Sequence, residues 1–448
     1  MSSQTTRIVL IGAGSAQFGY DTLGDIFQSA PLRQRRAEVV LHDINPITLD
    51  AVLKTARDFV AQHDLPFSVS ATASREDALQ GADFCIISIE VGNRFDLWEQ
   101  DWRIPQQFGV RQVYGENGGP GGFFHALRIT PPILEICEDV TRICPEAVVF
   151  NYSNPMSRIC TTVNRKFPDL NFIGLCHEIA SLEKHLPTIL DTPFENLEVR
   201  AGGLNHYSAL LKATYKDSGK DAYPDILEKA PDYFATHEHA LFAPHEREGT
   251  SGRSYVYTSP WHERGLFKMM LENYSLLPIT TDSHLGEYPC WAWDVVDHEG
   301  ILDFYISYKE LVLTSKPRLE MTCSERVVPI MEGILDDLGF EEGAVNIPNK
   351  GFIPALPEFI TVEVPAIIDK NGANGIAIGD IMPAGFAGLL QNQVAIHYLT
   401  AETVLTGSRD VALQALLADP IVDKVRSAEK MLDFMLELQK EYLGYIKR

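Results

Sequence analysis

The sequence predicts an α/β protein: a parallel sheet covered by helices, followed from about residue 196 by a mixed α+β region. Three observations predict it. From Arg7 to about Asp191, short β-branched apolar runs alternate with longer helical patterns, as a parallel sheet requires when each crossover carries a helix. A glycine turn joins the first run directly to the first helix. After Thr192-Pro193 the pattern changes, and Asn205–Leu211 alternates in a way that reads as strand and not as a βα unit.

Taken in order, strands are expected at Arg7–Ile11, Val39–His42, Phe67–Ala71, Phe84–Ile89, Ala147–Asn151 and Asn171–Gly174. Helices are expected at Gln17–Gln28, Pro46–His63, Phe124–Cys144, Met156–Lys166 and Ile179–Leu190, each with apolar residues near 3.6 spacing and Pro or Gly close to its ends. Residues 1–195 form the first domain on this reading, and residues 196–448 the second. The second carries an acidic, His-bearing stretch around Asp232–Arg253, a helical run near Leu302–Lys316, strands near Phe359–Ile368, a loop or hairpin at Lys370–Gly379, and late helices near Phe386–Thr403 and Val422–Tyr445.

Composition narrows the function classes. The chain has 448 residues, 45% of them hydrophobic, and 38 Lys+Arg against 61 Asp+Glu, a net charge of −23. Such a field repels phosphate backbones and anionic lipid, so nucleic acid and membrane surface are not expected partners, and a small molecule is. Seven cysteines without paired spacing suit reduced thiols. With no apolar stretch long enough to span a bilayer and no signal-like start, a cytoplasmic protein is expected.

The first strand runs into Gly12-Ala13-Gly14-Ser15-Ala16-Gln17-Phe18. Glycines let a backbone approach a pyrophosphate, and the helix start offers free N–H groups and partial positive charge. The third glycine of the dinucleotide fingerprint is replaced by Gln17. Asp43, after the second strand, stands where a carboxylate accepts both ribose hydroxyls and repels a 2′-phosphate, so NAD is expected over NADP. Strands five and six end in Phe150–Pro155 and Gly174–Glu178, and strand ends in an open sheet face one crevice. Side chains alternate there, so Cys176, His177 and Glu178 cannot all ligate one ion, and Cys176 with His206 makes better geometric sense. On spacing alone, a buried small hydrophobe and a satisfied strand histidine remain the commoner readings of that pair.

Several separated motifs, in order, resemble the family 4 glycoside hydrolases, the NAD- and divalent-metal-dependent glycosidases. They are Gly12–Ser15 with Phe18, Gly115–Arg128, Asn154-Pro155, Cys176-His177, Asn205-His206 and Asp282–Tyr288. The resemblance implies a Rossmann domain like that of lactate and malate dehydrogenases, followed by a domain for substrate and oligomerisation, in a homodimer or homotetramer. It implies NAD on Gly12, Gly14, Ser15, Phe18 and Asp43, and Mn²⁺ on Cys176 and His206. Asn154, Arg94 and His284 are then expected at the sugar, Asp282 as the base, and His177, Glu178 or Glu116 as the acid. The implied reaction oxidises the sugar at C3, deprotonates C2, eliminates at C1, adds water and reduces C3 again, without the carboxylate pair of ordinary glycosidases.

The tetrapeptide Cys176-His177-Glu178-Ile179 looks like the Cys-His-Glu-Val form of the α-galacturonidases, so α-galacturonides are the expected substrates, with α-glucuronides or α-galactosides as alternatives. A uronate would need a guanidinium from Arg94, Arg103, Arg111 or Arg128, among which the sequence does not choose. Two other classes share the nucleotide motif: a 2-hydroxy-acid dehydrogenase, which would release NADH, and a non-catalytic NAD sensor, which would bind but cleave nothing.

Overall fold

The computed structural model describes residues 5–14, 18–236, 264–314, 318–321 and 325–447. The first region comprises β1 (Arg7–Ile11), α1 (Phe18–Gln28), α2 (Ala30–Gln34), β2 (Glu38–His42), α3 (Pro46–Gln62), β3 (Ser68–Thr72), α4 (Arg75–Leu79), β4 (Phe84–Ile87), α5 (Arg94–Gln107), α6 (Gly119–Ile143), β5 (Val148–Asn151), α7 (Met156–Lys166), β6 (Phe172–Gly174) and α8 (Ala180–Leu190). Every expected strand and helix of this region is present. The strands are parallel in the order β3-β2-β1-β4-β5-β6. Ile8 and Leu10 enter one core layer while Val9 and Ile11 enter the other, so β1 is buried on both faces, as a helix-covered parallel strand must be.

Three helices, α2, α4 and α5, and the early start of α6 were not anticipated. The helix expected from Phe124 begins earlier, at Gly119, with Pro120 in its first turn. The glycines there permit close approach: a Cβ on Gly121 would lie 2.5 Å from the Cα of Gly115. In α5 the apolar face is carried by Phe95, Trp98, Trp102 and Pro105, and the internal proline hides the period.

The second region contributes β7 (Leu197–Leu204), β8 (Tyr207–Tyr215), α9 (Tyr223–Thr236), α10 (Gly265–Tyr274), β9 (Leu277–Pro278), α11 (Asp282–Leu285), α12 (His298–Thr314), α13 (Val327–Asp336), β10 (Phe340–Pro348), β11 (Thr361–Asp369), β12 (Gly372–Gly375), α14 (Ala384–Thr406), α15 (Arg409–Ala418), α16 (Val425–Leu438) and α17 (Lys440–Leu443). Most of the Asp232–Arg253 stretch lies outside the described residues. The single late helix expected over Val422–Tyr445 is divided at Gln439, whose side chain is drawn into the buried Arg128–Asp101 ion pair. Lys370–Gly379 includes the turn of the β11–β12 hairpin.

These strands extend the same sheet. Beyond β6 the order continues β10-β11-β7-β8-β9, antiparallel, with β12 on β11. Asn346 of β10 pairs with Gly174 of β6, and Glu363 of β11 pairs with Gly203 of β7. Gly174 makes the first junction possible, because a Cβ there would sit 2.9 Å from the Cβ of Asn346. Among the described residues no helix is long and apolar enough to cross a membrane.

Candidate active site

At the nucleotide end, Gly12 lies in the left-handed region at φ +87°, and a Cβ on it would overlap the carbonyl oxygen of Ser88. Gly12→Ala is therefore expected to cost about 1–3 kcal/mol of stability, read from urea denaturation. The Gly14 N–H donates to Asp43 Oδ2 at 2.8 Å, and Asp43 Oδ1 accepts from the Asn45 N–H at 2.8 Å, so this carboxylate braces the glycine turn against the start of α3. The close packing of helix on strand expected of the missing third glycine falls to Gly19, whose Cβ would lie 2.5 Å from the Ala13 carbonyl oxygen. Its signal was a glycine two residues beyond the usual spacing. Phe18 opens α1 against Tyr152, with ring centroids 4.5 Å apart. Ser15 lies outside the described residues.

Beyond the ends of β5 and β6 a cavity of about 440 Å³ brings together Arg94, Glu116, Asn154, Cys176, His177, Glu178, His206 and His284. Cys176 and Glu178, two apart at the strand end, point the same way. With His206 they form a donor group whose atoms lie within 4.8 Å of one another, and Cys176 Sγ is 3.5 Å from His206 Nε2. His177 turns outward, 3.5 Å from Glu325. His206 stands in the tight β7–β8 turn at φ +62°, a conformation that few non-glycine residues adopt.

Behind this group His284 stacks on His206 at 4.2 Å between ring centroids. It bridges two carboxylates, with Nε2 3.0 Å from Glu116 and Nδ1 3.7 Å from Glu178. Glu178 also accepts a short hydrogen bond from the Thr280 hydroxyl. Burial alone would lower the His284 pKa, but hydrogen bonds to Glu116 and Glu178 and their charges push it up to about 10. Against burial, His284 holds the Glu116 carboxyl below the usual range, and His206 followed by His284 and Thr280 does the same for Glu178. Burial lowers His206 to about 4, and burial with the Glu178 and Glu363 charges pushes the Cys176 thiol well up. Without a cation, therefore, the thiol keeps its proton and the imidazole is neutral.

The donor set fits a divalent transition ion: thiolate, carboxylate and imidazole converge, and Glu178 Oε2 is buried without a hydrogen-bond partner among the described residues. Cation binding would supply the positive charge that drives the Cys176 proton off.

Asp282 stands apart from this cavity. It is fully buried at the start of α11, and its Oδ2 accepts the Leu266 N–H at 2.8 Å where α10 begins. Burial raises its carboxyl to about 6 against the opposing backbone hydrogen bonds and the Arg264 charge. Of the four arginines considered for a uronate, only Arg94 lines the cavity, and Glu90 at 3.4 Å and Glu116 at 3.3 Å already hold it. Arg128 is buried on Asp101, Arg103 lies over Trp102, and Arg111 pairs at the surface with Asp294.

Sequence reasoning did not single out Glu287. Its carboxylate accepts the backbone N–H groups of Glu116, Asn117 and Gly118 at 2.5, 3.0 and 3.2 Å, which seats the loop that presents Glu116. Its place three residues after His284 in one motif was the available signal. Burial raises its carboxyl to about 7. A folded-state value above the unfolded one stabilises at low pH and is lost as pH rises through about 7. Glu287→Gln removes that slope, so the variant's stability relative to the parent is expected to rise by about 3 kcal/mol between pH 4.5 and 7, measured by urea denaturation at both pH values.

A family model described as Family 4 glycosyl hydrolase matches residues 7–192, and one for the Family 4 glycosyl hydrolase C-terminal domain matches residues 201–422. An α-glucosidase of Erwinia rhapontici is 58% identical, with 99% of this chain and all of the relative covered. An α-galacturonidase of Thermoanaerobacterium saccharolyticum is 27% identical, with 97% and 96% covered. The fold superposes on a 6-phospho-α-glucosidase from gut microorganisms, solved with NAD and Mn²⁺, at a TM-score of 0.76 and 20% identity, covering 98% of each chain. The parallel half of the sheet is thus a Rossmann-type unit, and the chain belongs to family 4 of the glycosyl hydrolases and is a glycosidase.

Proposed function

We propose that this glycosidase hydrolyses α-glucosides with the help of NAD and a divalent ion, Mn²⁺ in the first instance. The observation that carries the reading is the Cys176, Glu178 and His206 donor group, set in one cavity with Glu116 and His284, in a chain 58% identical to an α-glucosidase. The α-galacturonide expectation, which rested on the Cys-His-Glu-Ile tetrapeptide, gives way because the α-galacturonidase relative is far more distant, at 27% identity against 58%.

Cys176, Glu178 and His206 would hold the metal, and Gly12, Gly14, Phe18 and Asp43 the dinucleotide. Bound there, the two groups supply a Lewis acid for sugar oxygens and an acceptor for hydride. The chain's own part is electrostatic and positional. His284 keeps a proton at Nε2 shared with Glu116 Oε2, so the pair can donate to a departing oxygen without admitting free charge. Arg94, braced on the Trp98 and Tyr308 rings, keeps Glu116 ionised, while Asn154 presents an amide to the cavity. In this reading Asp282 anchors α10 and with it the cavity wall that includes Arg264.

The test is a panel of p-nitrophenyl α-glycosides with and without Mn²⁺, NAD⁺ and a thiol. Cleavage of the α-glucoside is expected, lost with chelator and restored by Mn²⁺ plus thiol, with no NADH accumulating. Release of NADH from hydroxy acids without glycoside cleavage would overturn the proposal.

A further inference from the structure

Cys176 and His206 come from strands that are not neighbours. Between β6 and β7 lie β10 and β11, and at about 4.8 Å per strand the two ligand-bearing segments start roughly 14 Å apart in the sheet. Something must fix their approach to 3.5 Å. The intervening strands carry the polar side chains that do so. Glu363, on β11 and 2% exposed, accepts from the Asn205 amide at 2.8 Å and from the Asn346 amide at 3.1 Å. Asn346 is the β10 residue paired with Gly174, two residues before Cys176, and Asn205 immediately precedes His206 in its turn. The Asn205 amide also reaches the Cys176 thiol. One buried carboxylate therefore ties together the strand that delivers the thiol and the turn that delivers the imidazole.

We infer that Glu363 is a positioning residue for the metal ligands, holding Asn205 with its amide toward both carboxylate and thiol so that Cys176 and His206 present a preformed pair to the cation. This rests on the metal reading above. The physical basis is general: partners one shell out from a metal fix ligand orientation and commonly change affinity 10- to 100-fold. Both amides donate to one oxygen, Glu363 Oε2, and a carboxamide at position 363 replaces that anionic acceptor with a neutral one, which weakens both bonds and loosens the hold on Asn205 beside the thiol. Glu363 is not itself placed to touch the sugar.

The experiment measures Mn²⁺ binding to the purified full chain by the electron paramagnetic resonance signal of free Mn²⁺, for the wild type, Glu363→Gln and Asn205→Ala. Both variants are expected to bind about 10- to 100-fold more weakly and to recover most of kcat at saturating Mn²⁺. The thiolate-to-cobalt absorption of the Co²⁺-loaded variants is expected to weaken, which a merely structural role would not produce. Should Glu363→Gln fail to fold, Asn205→Ala alone decides. Wild-type affinity and an unchanged cobalt spectrum in the folded variants would overturn the inference. A wild type that binds no Mn²⁺ would instead overturn the metal reading, so the two failures are distinguishable.

Discussion

Cys176→Ser is expected to lower kcat/KM by about 10³-fold or more and to abolish tight Mn²⁺ binding, while leaving the metal-free fold near wild-type stability. A thiolate is the soft donor of the set, and a serine hydroxyl neither deprotonates under a divalent ion at neutral pH nor reproduces its bond length. Losing a Lewis acid removes several kcal/mol of transition-state stabilisation, and about 4 kcal/mol corresponds to roughly 10³ in rate. The fold should tolerate the change because Cys176 meets the polar side chains of His206 and Asn205 and is not part of the apolar core. Steady-state kinetics over a Mn²⁺ titration, beside a urea denaturation, separates the two effects. Activity that persists in the serine variant under chelator would remove Cys176 from the metal site.

His284→Leu is expected to be the most damaging single change in the cavity for the metal-free fold. It strips the shared counter-charge from Glu116 and Glu178, which are both largely buried, with side-chain exposures of 7% and 11%. Removing one partner from a buried charge cluster costs about 3–5 kcal/mol, because the charges left behind stay desolvated. The loss should shrink in the double variant His284→Leu/Glu116→Gln, since one stranded charge has then been removed. Urea midpoints of the single and double variants at pH 7 test this, and a single variant as stable as the parent would mean that the carboxylates find other cations. Turnover should fall as well, by about 10²–10⁴-fold, the usual contribution of a positioned proton donor.

Much of this architecture was legible in the residues. β-branched runs and 3.6-residue periods located the parallel strands and their main helices, because the inner strands, such as β1, β4 and β5, are buried on both faces and helices such as α3 on one. Strand-end logic and the family resemblance together brought Cys176, His206, Glu116, Asn154 and His284 to one place. Two kinds of feature escaped. Glycine- and proline-rich Gly118–Gly122 lacks the 3.6-residue apolar period, and as the start of a helix it packs closely on Gly115 and on Glu287, the latter distant in sequence. Glu363 carries no local pattern and Glu287 only its place in the His284 motif, since their partners are asparagines and backbone amides brought in by tertiary pairing. Asp282, expected as the base from the family resemblance alone, is fully buried, and its carboxylate accepts a hydrogen bond from the first turn of a neighbouring helix, a contact no local pattern announces.

The uninterrupted hydrogen-bonded ladder from β3 to β9 bears on how such enzymes can be re-engineered. A cut at residue 195 would bare the edge of β6 and strip β10 of its neighbour, leaving two fragments prone to self-association. Exchanging C-terminal cassettes between relatives to transplant specificity should therefore succeed only where the incoming piece brings a matching Asn346–Glu363 register against Gly174 and Gly203.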